Sequence, residues 1–196
     1  IVQHGEKEPL IYYITVKGEP LARSDISSVI EAKSAHSGAG GSGSPITRAA
    51  VVATLYELSA GDPYPCLYNA KWPFPQPPED DWCFDALNWS LVMKVAVGGG
   101  SSFDGNSGIT REQLAVMLYH LAFGLGRETP SGGGLEHFGD AEKVSGWARD
   151  AVDWAFGSGV ISLRAGGKTD PACSVTKAEA AEILQRFFAS MVTHVQ

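Results

Sequence analysis

The stretch Ile109-Thr110-Arg111-Glu112-Gln113 decides the fold, because a version of it occurs three times in the chain. The other copies are Ile46-Thr47-Arg48-Ala49-Ala50 and Val175-Thr176-Lys177-Ala178-Glu179. Each joins an apolar residue, a threonine and a base, and each precedes a run with an apolar face. Threonine before such a run is an N-cap signal, and Gln or Glu three residues later completes a capping box. The pattern predicts three amphipathic helices with boxes at Gln113 and Glu179, but none at Ala50.

The base beside each cap is the first candidate for function. A helix N-terminus presents backbone N–H groups and the positive end of the macrodipole, and both favour an anion. An arginine there adds charge-assisted hydrogen bonds that suit a carboxylate. Taken singly, each threonine is an ordinary helix cap. Three copies with a base favour a shared anionic ligand, with Arg48, Arg111 and Lys177 as its contacts.

A second pattern shows that the chain is repetitive. The sequence Trp-x-x-x-Ala-[Leu/Val]-x-Trp occurs at Trp82–Trp89 and again 65 residues later at Trp147–Trp154. The three motif threonines are separated by 63 and 66 residues, which indicates an internal repeat. Two short helices cannot bury their apolar faces alone, whereas three pairs around one axis can. We therefore expect a mainly α, pseudo-threefold bundle of helix–loop–helix units, at about residues 21–62, 78–126 and 138–190 of a module spanning 21–196.

The N-terminal part differs from the rest. Residues 10–16 are rich in aromatic and β-branched residues, so residues 1–20 are predicted to form a strand or extended arm. The start at Ile1 suggests a processed product or an excised segment. A proline-rich crossing at 61–80 carries aromatic residues and is expected to lie over apolar surface.

Composition excludes some classes of function. The net charge of −7 argues against nucleic acid as a partner, because phosphate binding needs a basic stripe. No apolar run approaches the roughly 18 residues of a membrane span. The three cysteines lack metal-ligand spacing, although a Cys66–Cys83 disulfide is compatible with a secreted protein.

Candidates for catalysis are few. The acidic pairs Asp80-Asp81 and Asp150 with Asp153 are more typical of solvated helix faces than of a glycosidase. The five histidines are scattered without zinc spacing, and no serine nucleophile motif occurs. We expect a protein that is not an enzyme and that needs neither cofactor nor metal.

Aromatic and glycine residues offer further candidate contacts. Trp89 and Trp154 are predicted to pack in the core, whereas Trp82 and Trp147 are candidates for stacking on a sugar ring. The triple glycine around Gly99 could cradle a ligand with backbone N–H groups, or it could be a loop that needs positive φ.

These motifs resemble the S-layer homology family, the cell-surface anchoring repeats of bacteria. The match rests on the threefold Thr-Arg motif, on Phe138-Gly139-Asp140 followed by Trp147-Ala148, and on Gly159-Val160-Ile161. It covers roughly residues 21–190. The resemblance implies a three-sided prism whose inter-repeat grooves bind secondary cell-wall polysaccharide, often with pyruvate ketals. The family's base contacts the acidic sugar. Against its pattern, this chain has Lys177 for arginine, and Ala50 and Gln113 for the acid.

We therefore expect a non-catalytic, monomeric module at the bacterial cell wall or cell surface that binds an anionic, pyruvylated or otherwise acidic glycan or a peptidoglycan-linked glycan. The alternative is a degenerate bundle of the same type that acts as a protein–protein interaction module. The predicted glycan-binding residues are Arg48, Arg111, Lys177, Trp82, Trp147, Thr47, Thr110, Thr176, Glu179 and Gly99.

Overall fold

The computed structural model describes residues 21–38, 40–60, 81–95, 103–130 and 134–192. This part of the chain is mainly α-helical, as the sequence predicts. The predicted arm at 1–20, the proline-rich crossing, Gly99 and Cys66 lie outside the described residues. The α-helices are α1 Arg23–Ser34, α2 Arg48–Ala60, α3 Phe84–Val92, α4 Arg111–Gly124, α5 Arg149–Gly157 and α6 Lys177–Val192.

A ring of three backbone hydrogen bonds joins the loops before α2, α4 and α6. The amide of Ile46 donates to the carbonyl of Val175 at 2.9 Å, Val175 donates to Ile109 at 2.9 Å, and Ile109 donates to Ile46 at 3.0 Å. All three side chains are fully buried. Each loop therefore contacts both of the others, and the three units close around one axis.

The helices close in the same cyclic order. The helices α2, α4 and α6, which begin at the three motifs, pack against α3, α5 and α1 respectively. Each motif helix thus lies against the first helix of the following unit, and α6 returns the chain to the first. The boundaries predicted for the three units stay predictions.

Aromatic side chains fill the space between the helices. Trp89 and Trp154 are buried, which confirms their predicted packing role. Tyr56 lies against Trp89 with ring centroids 5.8 Å apart, and Tyr119 meets Trp154 edge-on at 5.7 Å. These contacts join α2 to α3 and α4 to α5, so they strengthen contacts between successive units.

Candidate functional site

The three threonines cap their helices as the sequence predicts. Each hydroxyl accepts a hydrogen bond from the amide three residues later, at 3.2 Å for Thr47, 3.3 Å for Thr110 and 3.2 Å for Thr176. The predicted capping box is confirmed at Gln113, whose Oε1 accepts from the Thr110 amide at 3.0 Å. The predicted box at Glu179 is wrong, because its carboxylate is bound by two arginines instead of the cap amide.

The first amides of the motif helices are occupied by backbone carbonyls of the next unit. Arg111 N–H donates to Cys173 and Glu112 N–H donates to Pro171, both at 3.0 Å. The equivalent bonds join Arg48 to Ser107, Ala49 to Gly105, Lys177 to Ser44 and Ala178 to Ser42. The expectation that these N–H groups are available to an anion is therefore wrong.

Arg111 is almost fully enclosed, with 2% of its surface exposed. Its Nε donates to the carbonyl of Thr169 at 2.7 Å and its Nη2 to that of Ser162 at 2.6 Å. Its Nη1 forms an ion pair with Glu179, and its guanidinium lies 5.2 Å from the ring centroid of Phe156. Burial lowers the pKa of Arg111 and the charge of Glu179 opposes this shift. The side chain ties α4 to the loop of the third unit.

Asp140 fixes the loop that receives Arg111. Its carboxylate is 1% exposed and accepts hydrogen bonds from the amide and hydroxyl of Thr169, at 2.7 and 3.0 Å, and from the amide of Asp170 at 2.8 Å. Burial alone would raise the pKa of Asp140, but these hydrogen bonds outweigh it and hold the pKa below its usual value. The Asp of the Phe138-Gly139-Asp140 motif is therefore a loop clasp that places the Thr169 carbonyl opposite Arg111.

Lys177 is also 2% exposed and is paired with an acid from the first unit. Its Nζ lies 2.9 Å from Glu31 Oε2 and donates to the carbonyl of Gly40 at 2.6 Å. Glu31 is 146 residues away in sequence. No local pattern marks it, so sequence reasoning missed this partner.

Arg48 differs from the other two bases. Its side chain is half-buried and its guanidinium lies 5.0 Å from the ring centroid of Phe103. Within the described ranges, its Nε is enclosed without a hydrogen-bond partner, and its guanidinium forms no ion pair. Burial lowers the pKa of Arg48, and the charge of Asp104 opposes the shift.

The remaining predicted contacts are dispersed. Trp147 is 62% exposed just before α5, as a residue available to a ligand must be. Trp82 is half-buried and stacks on His36, with ring centroids 4.6 Å apart and planes at 8°. Sequence reasoning also missed Arg164. Its Nη2 lies 3.3 Å from Glu179 Oε2, and its Nε lies 3.4 Å from Asp170 Oδ2. The parts of Trp82 and Trp147 in glycan binding stay predictions.

Of the acidic residues considered for catalysis, Asp80 lies outside the described residues, and Asp150 and Asp153 have different surroundings. Asp153 is buried and its carboxylate accepts a hydrogen bond from the Leu135 amide at 2.7 Å, whereas Asp150 is exposed. Among the residues placed by the structure, no three potential ligands cluster as a metal site would require. Nor does any helix in this part of the chain have the length and apolar character to cross a membrane.

Comparison with known proteins finds sequence similarity that includes the third unit. An amylopullulanase of Thermoanaerobacterium thermosulfurigenes is 27% identical over 104 residues, which are 53% of this chain and 6% of that protein. The chain therefore corresponds to a small part of this relative. The family model described as the S-layer homology domain matches residues 137–181, from the Asp140 clasp to the first turns of α6. Residues 137–181 are thus one S-layer homology domain, a kind of domain that is generally a cell-wall anchoring module.

Proposed function

We propose that the chain is a non-catalytic module that holds a larger bacterial surface protein on an anionic secondary cell-wall polysaccharide. The observation that carries the proposal is the cyclic arrangement of the three motif helices. Each places a base between its own helix and the loop of the next unit, at Arg48, Arg111 and Lys177. By this repetition, the first two units are proposed to be of the same kind as residues 137–181.

The chemistry of these basic side chains suits a sugar carboxylate better than a neutral glycan. A guanidinium binds a carboxylate through two parallel, charge-assisted hydrogen bonds, whereas the lysine ammonium acts as a point charge. The chain as a whole is negative, so attraction of an anionic polymer depends on these local bases. Trp147 is exposed at the start of the third unit and is proposed to stack on a sugar ring.

The similarity to the amylopullulanase does not assign an activity to this chain. It is an amylopullulanase, but the similarity covers 6% of its length. We propose that the shared segment does the anchoring and that the remainder of such a protein does the chemistry. Localisation at the cell wall or cell surface follows from this role.

Co-sedimentation with purified cell-wall sacculi tests the proposal. The chain is expected to pellet with native sacculi, to be released as salt is raised, and to bind less to sacculi from which pyruvate has been stripped. Salt weakens contacts between exposed charges, which is the reason for the second expectation. The chain could instead stay in the supernatant with native sacculi, while a pull-down with the chain from the same cells recovers a protein and no glycan. That result would favour the interaction-module alternative.

A further inference from the structure

The peptide bond between Asp170 and Pro171 lies in the loop before α6, in surroundings that favour its hydrolysis. We propose that this bond is a self-cleavage site, at which the Asp170 carboxylate attacks its own backbone carbonyl and water completes the reaction. The cleavage does not depend on the anchoring role proposed above. It adds a covalent modification site to the third unit.

Asp170 has a backbone conformation that is unusual for a residue before proline. Its φ is 46°, in the left-handed region that residues other than glycine rarely adopt. A residue before proline is restricted further, because the proline ring crowds its backbone and favours extended conformations. Strained residues of this kind occur at reactive sites, where the strain is part of the chemistry. Cleavage next to Asp170 would release this strain.

The carbonyl group that would be attacked is already polarised. Its oxygen accepts a hydrogen bond from the Cys173 amide at 3.0 Å. When a carboxylate adds to the carbonyl carbon, negative charge develops on this oxygen, and an N–H donor already in place stabilises it. The Asp170 amide in turn donates to Asp140 Oδ2 at 2.8 Å. The backbone is therefore held on both sides of the reacting carbonyl.

The Asp170 carboxylate is the nucleophile. Its side chain is 40% exposed, and Oδ2 lies 3.4 Å from Arg164 Nε. Its other oxygen, Oδ1, has no hydrogen bond to any residue that the structure describes. Attack by Oδ1 within the same residue avoids the loss of entropy that a separate nucleophile would require. Besides Arg164, the charged groups around this carboxylate are Arg111 of α4, Asp140, and Glu179 of α6, which pairs with both arginines.

The reaction has two balanced steps. In the first, a bond forms between Oδ1 and the carbonyl carbon, the bond from that carbon to the Pro171 nitrogen breaks, and the nitrogen takes a proton from the acidic solvent. The products are a cyclic anhydride at Asp170 and a new chain that begins at Pro171. In the second step, one water molecule opens the anhydride to two carboxyl groups and the proton is returned. Proline suits the first step because the nitrogen of its tertiary amide takes up a proton more readily than that of an ordinary peptide bond.

The chain contains two natural comparisons for this bond. Asp104 occupies the corresponding position before the motif of the second unit, with a φ of 50°, and its carbonyl accepts from the Ser107 amide at 3.3 Å. It is followed by Gly105, and its carboxylate accepts from the Ser107 hydroxyl at 2.7 Å. The sequence also contains Asp62–Pro63, which lies outside the described residues. The first comparison has the backbone conformation without the proline, and the second has the proline.

Cleavage would leave the two pieces assembled. The carbonyls of Pro171 and Cys173 would still accept from two amides at the start of α4, and the Val175 amide would still donate to Ile109. The Phe187 side chain and its neighbours in α6 are also buried in the core. Any part of a surface protein that is joined to α6 would then be held to the first two units without a covalent link. This last consequence rests on the proposed function.

Mass spectrometry of the intact chain tests the proposal. The chain is kept in the most acidic buffer in which circular dichroism still shows the native helix content, and a second sample is unfolded with urea in the same buffer. In the folded chain, the fragments 1–170 and 171–196 should form at least about tenfold faster than those from Asp62–Pro63, with no cut at Asp104–Gly105. In urea the two Asp–Pro bonds should be cut at similar rates, because the strain is gone. Cleavage at Asp170–Pro171 that is no faster in the folded chain than in urea would overturn the inference, since the fold would then protect an ordinary acid-labile bond.

Two variants separate the nucleophile from the leaving group. Asp170→Asn keeps the shape and tolerates the left-handed conformation but lacks the carboxylate, and Pro171→Gly gives the loop the Asp–Gly pair that the second unit already has. Each should slow release of the fragment 171–196 by about a hundredfold or more. Asp62→Asn is the matched control and should leave that rate unchanged. Release at the parental rate from Asp170→Asn would show that the carboxylate is not the nucleophile, and the proposal would fail.

Gel filtration of the cleaved chain gives a separate readout. The two pieces should elute together at the position of the intact chain and separate only on a denaturing gel. Elution as two species would contradict the expectation that the ring holds α6 after the cut. Binding to sacculi enters neither measurement, so failure of the anchoring proposal would leave this one standing, and the reverse also holds.

Discussion

Replacement of Asp140 tests whether the Phe138-Gly139-Asp140 motif acts as a loop clasp. The carboxylate is buried and accepts from two backbone amides, those of Thr169 and Asp170, as well as from the Thr169 hydroxyl. Asp140→Ala leaves both amides without that acceptor, whereas the hydroxyl can rotate to another. An unsatisfied buried donor costs about 1–3 kcal/mol, so we expect a loss of about 2–6 kcal/mol in the free energy of unfolding. This is a large part of the roughly 5–15 kcal/mol that stabilises a typical protein.

Urea unfolding followed by tryptophan fluorescence measures this loss, with Asp150→Ala as the control. Asp150 lies in the first turn of α5 and is exposed, so its replacement should change the unfolding free energy by less than about 1 kcal/mol. If Asp140→Ala unfolds at the same urea concentration as Asp150→Ala, the clasp does not contribute as argued. The two amides would then have found other partners.

The pH dependence of stability in a second variant, Asp140→Asn, tests whether the Asp140 carboxylate is charged in the folded chain. Because the pKa of Asp140 is lowered in the folded chain, its contribution is complete above the ordinary aspartate pKa of about 3.9. The contribution declines as the pH falls below that value and through the lower folded-state pKa. The stability gap between the parent and Asp140→Asn should therefore narrow below about pH 4. A gap that widens there would contradict the assignment of a charged, hydrogen-bonded carboxylate.

Three further expectations concern the ring, a cap and the half-buried His120. Ile109→Ala should cost about 2–5 kcal/mol in urea unfolding, since the fully buried side chain lies beside the ring hydrogen bonds; a cost below 1 kcal/mol would contradict this. Thr110→Val keeps the shape but removes the capping hydroxyl, and should lower the free energy of unfolding by about 1 kcal/mol. Burial lowers the pKa of His120, with the Lys94 carbonyl opposing and the Lys94 charge assisting, so stability should fall as the pH drops below about 6.5. A thermal-unfolding series from pH 7 to 5.5 should show a smaller decline for His120→Gln.

Local patterns in the sequence predicted the helix starts and the repetition, because both depend on residues near one another in the chain. The Thr110–Gln113 box needs only two side chains on one helical turn, and the structure contains it. Burial of Trp89 and Trp154 followed from helical spacing in the same way. The spacing of the motifs also predicted a closed threefold bundle, although not the bonds that close it.

What the sequence could not predict depends on contacts between distant units. Glu179 fits a capping box by position, yet its carboxylate binds Arg111, which is 68 residues earlier. An ion pair with charge-assisted hydrogen bonds is stronger than a neutral cap interaction, so the tertiary contact prevails. Glu31 and Lys177 meet only because α1 packs against α6. Such pairs are therefore seen in the three-dimensional structure and not in the sequence.

The backbone hydrogen bonds that close the ring also explain why the surroundings of the three bases can differ while the helices keep the same arrangement. The backbone of each unit satisfies the first amides of the preceding helix, and it does so with carbonyls that every residue type possesses. Those bonds do not depend on which side chain follows the threonine or stands three residues beyond it. Substitution at Ala50, Gln113 or Glu179 therefore changes what faces a base without opening the bundle. The backbone sets where the three bases stand, and single side chains decide which of them is paired with an acid of the chain.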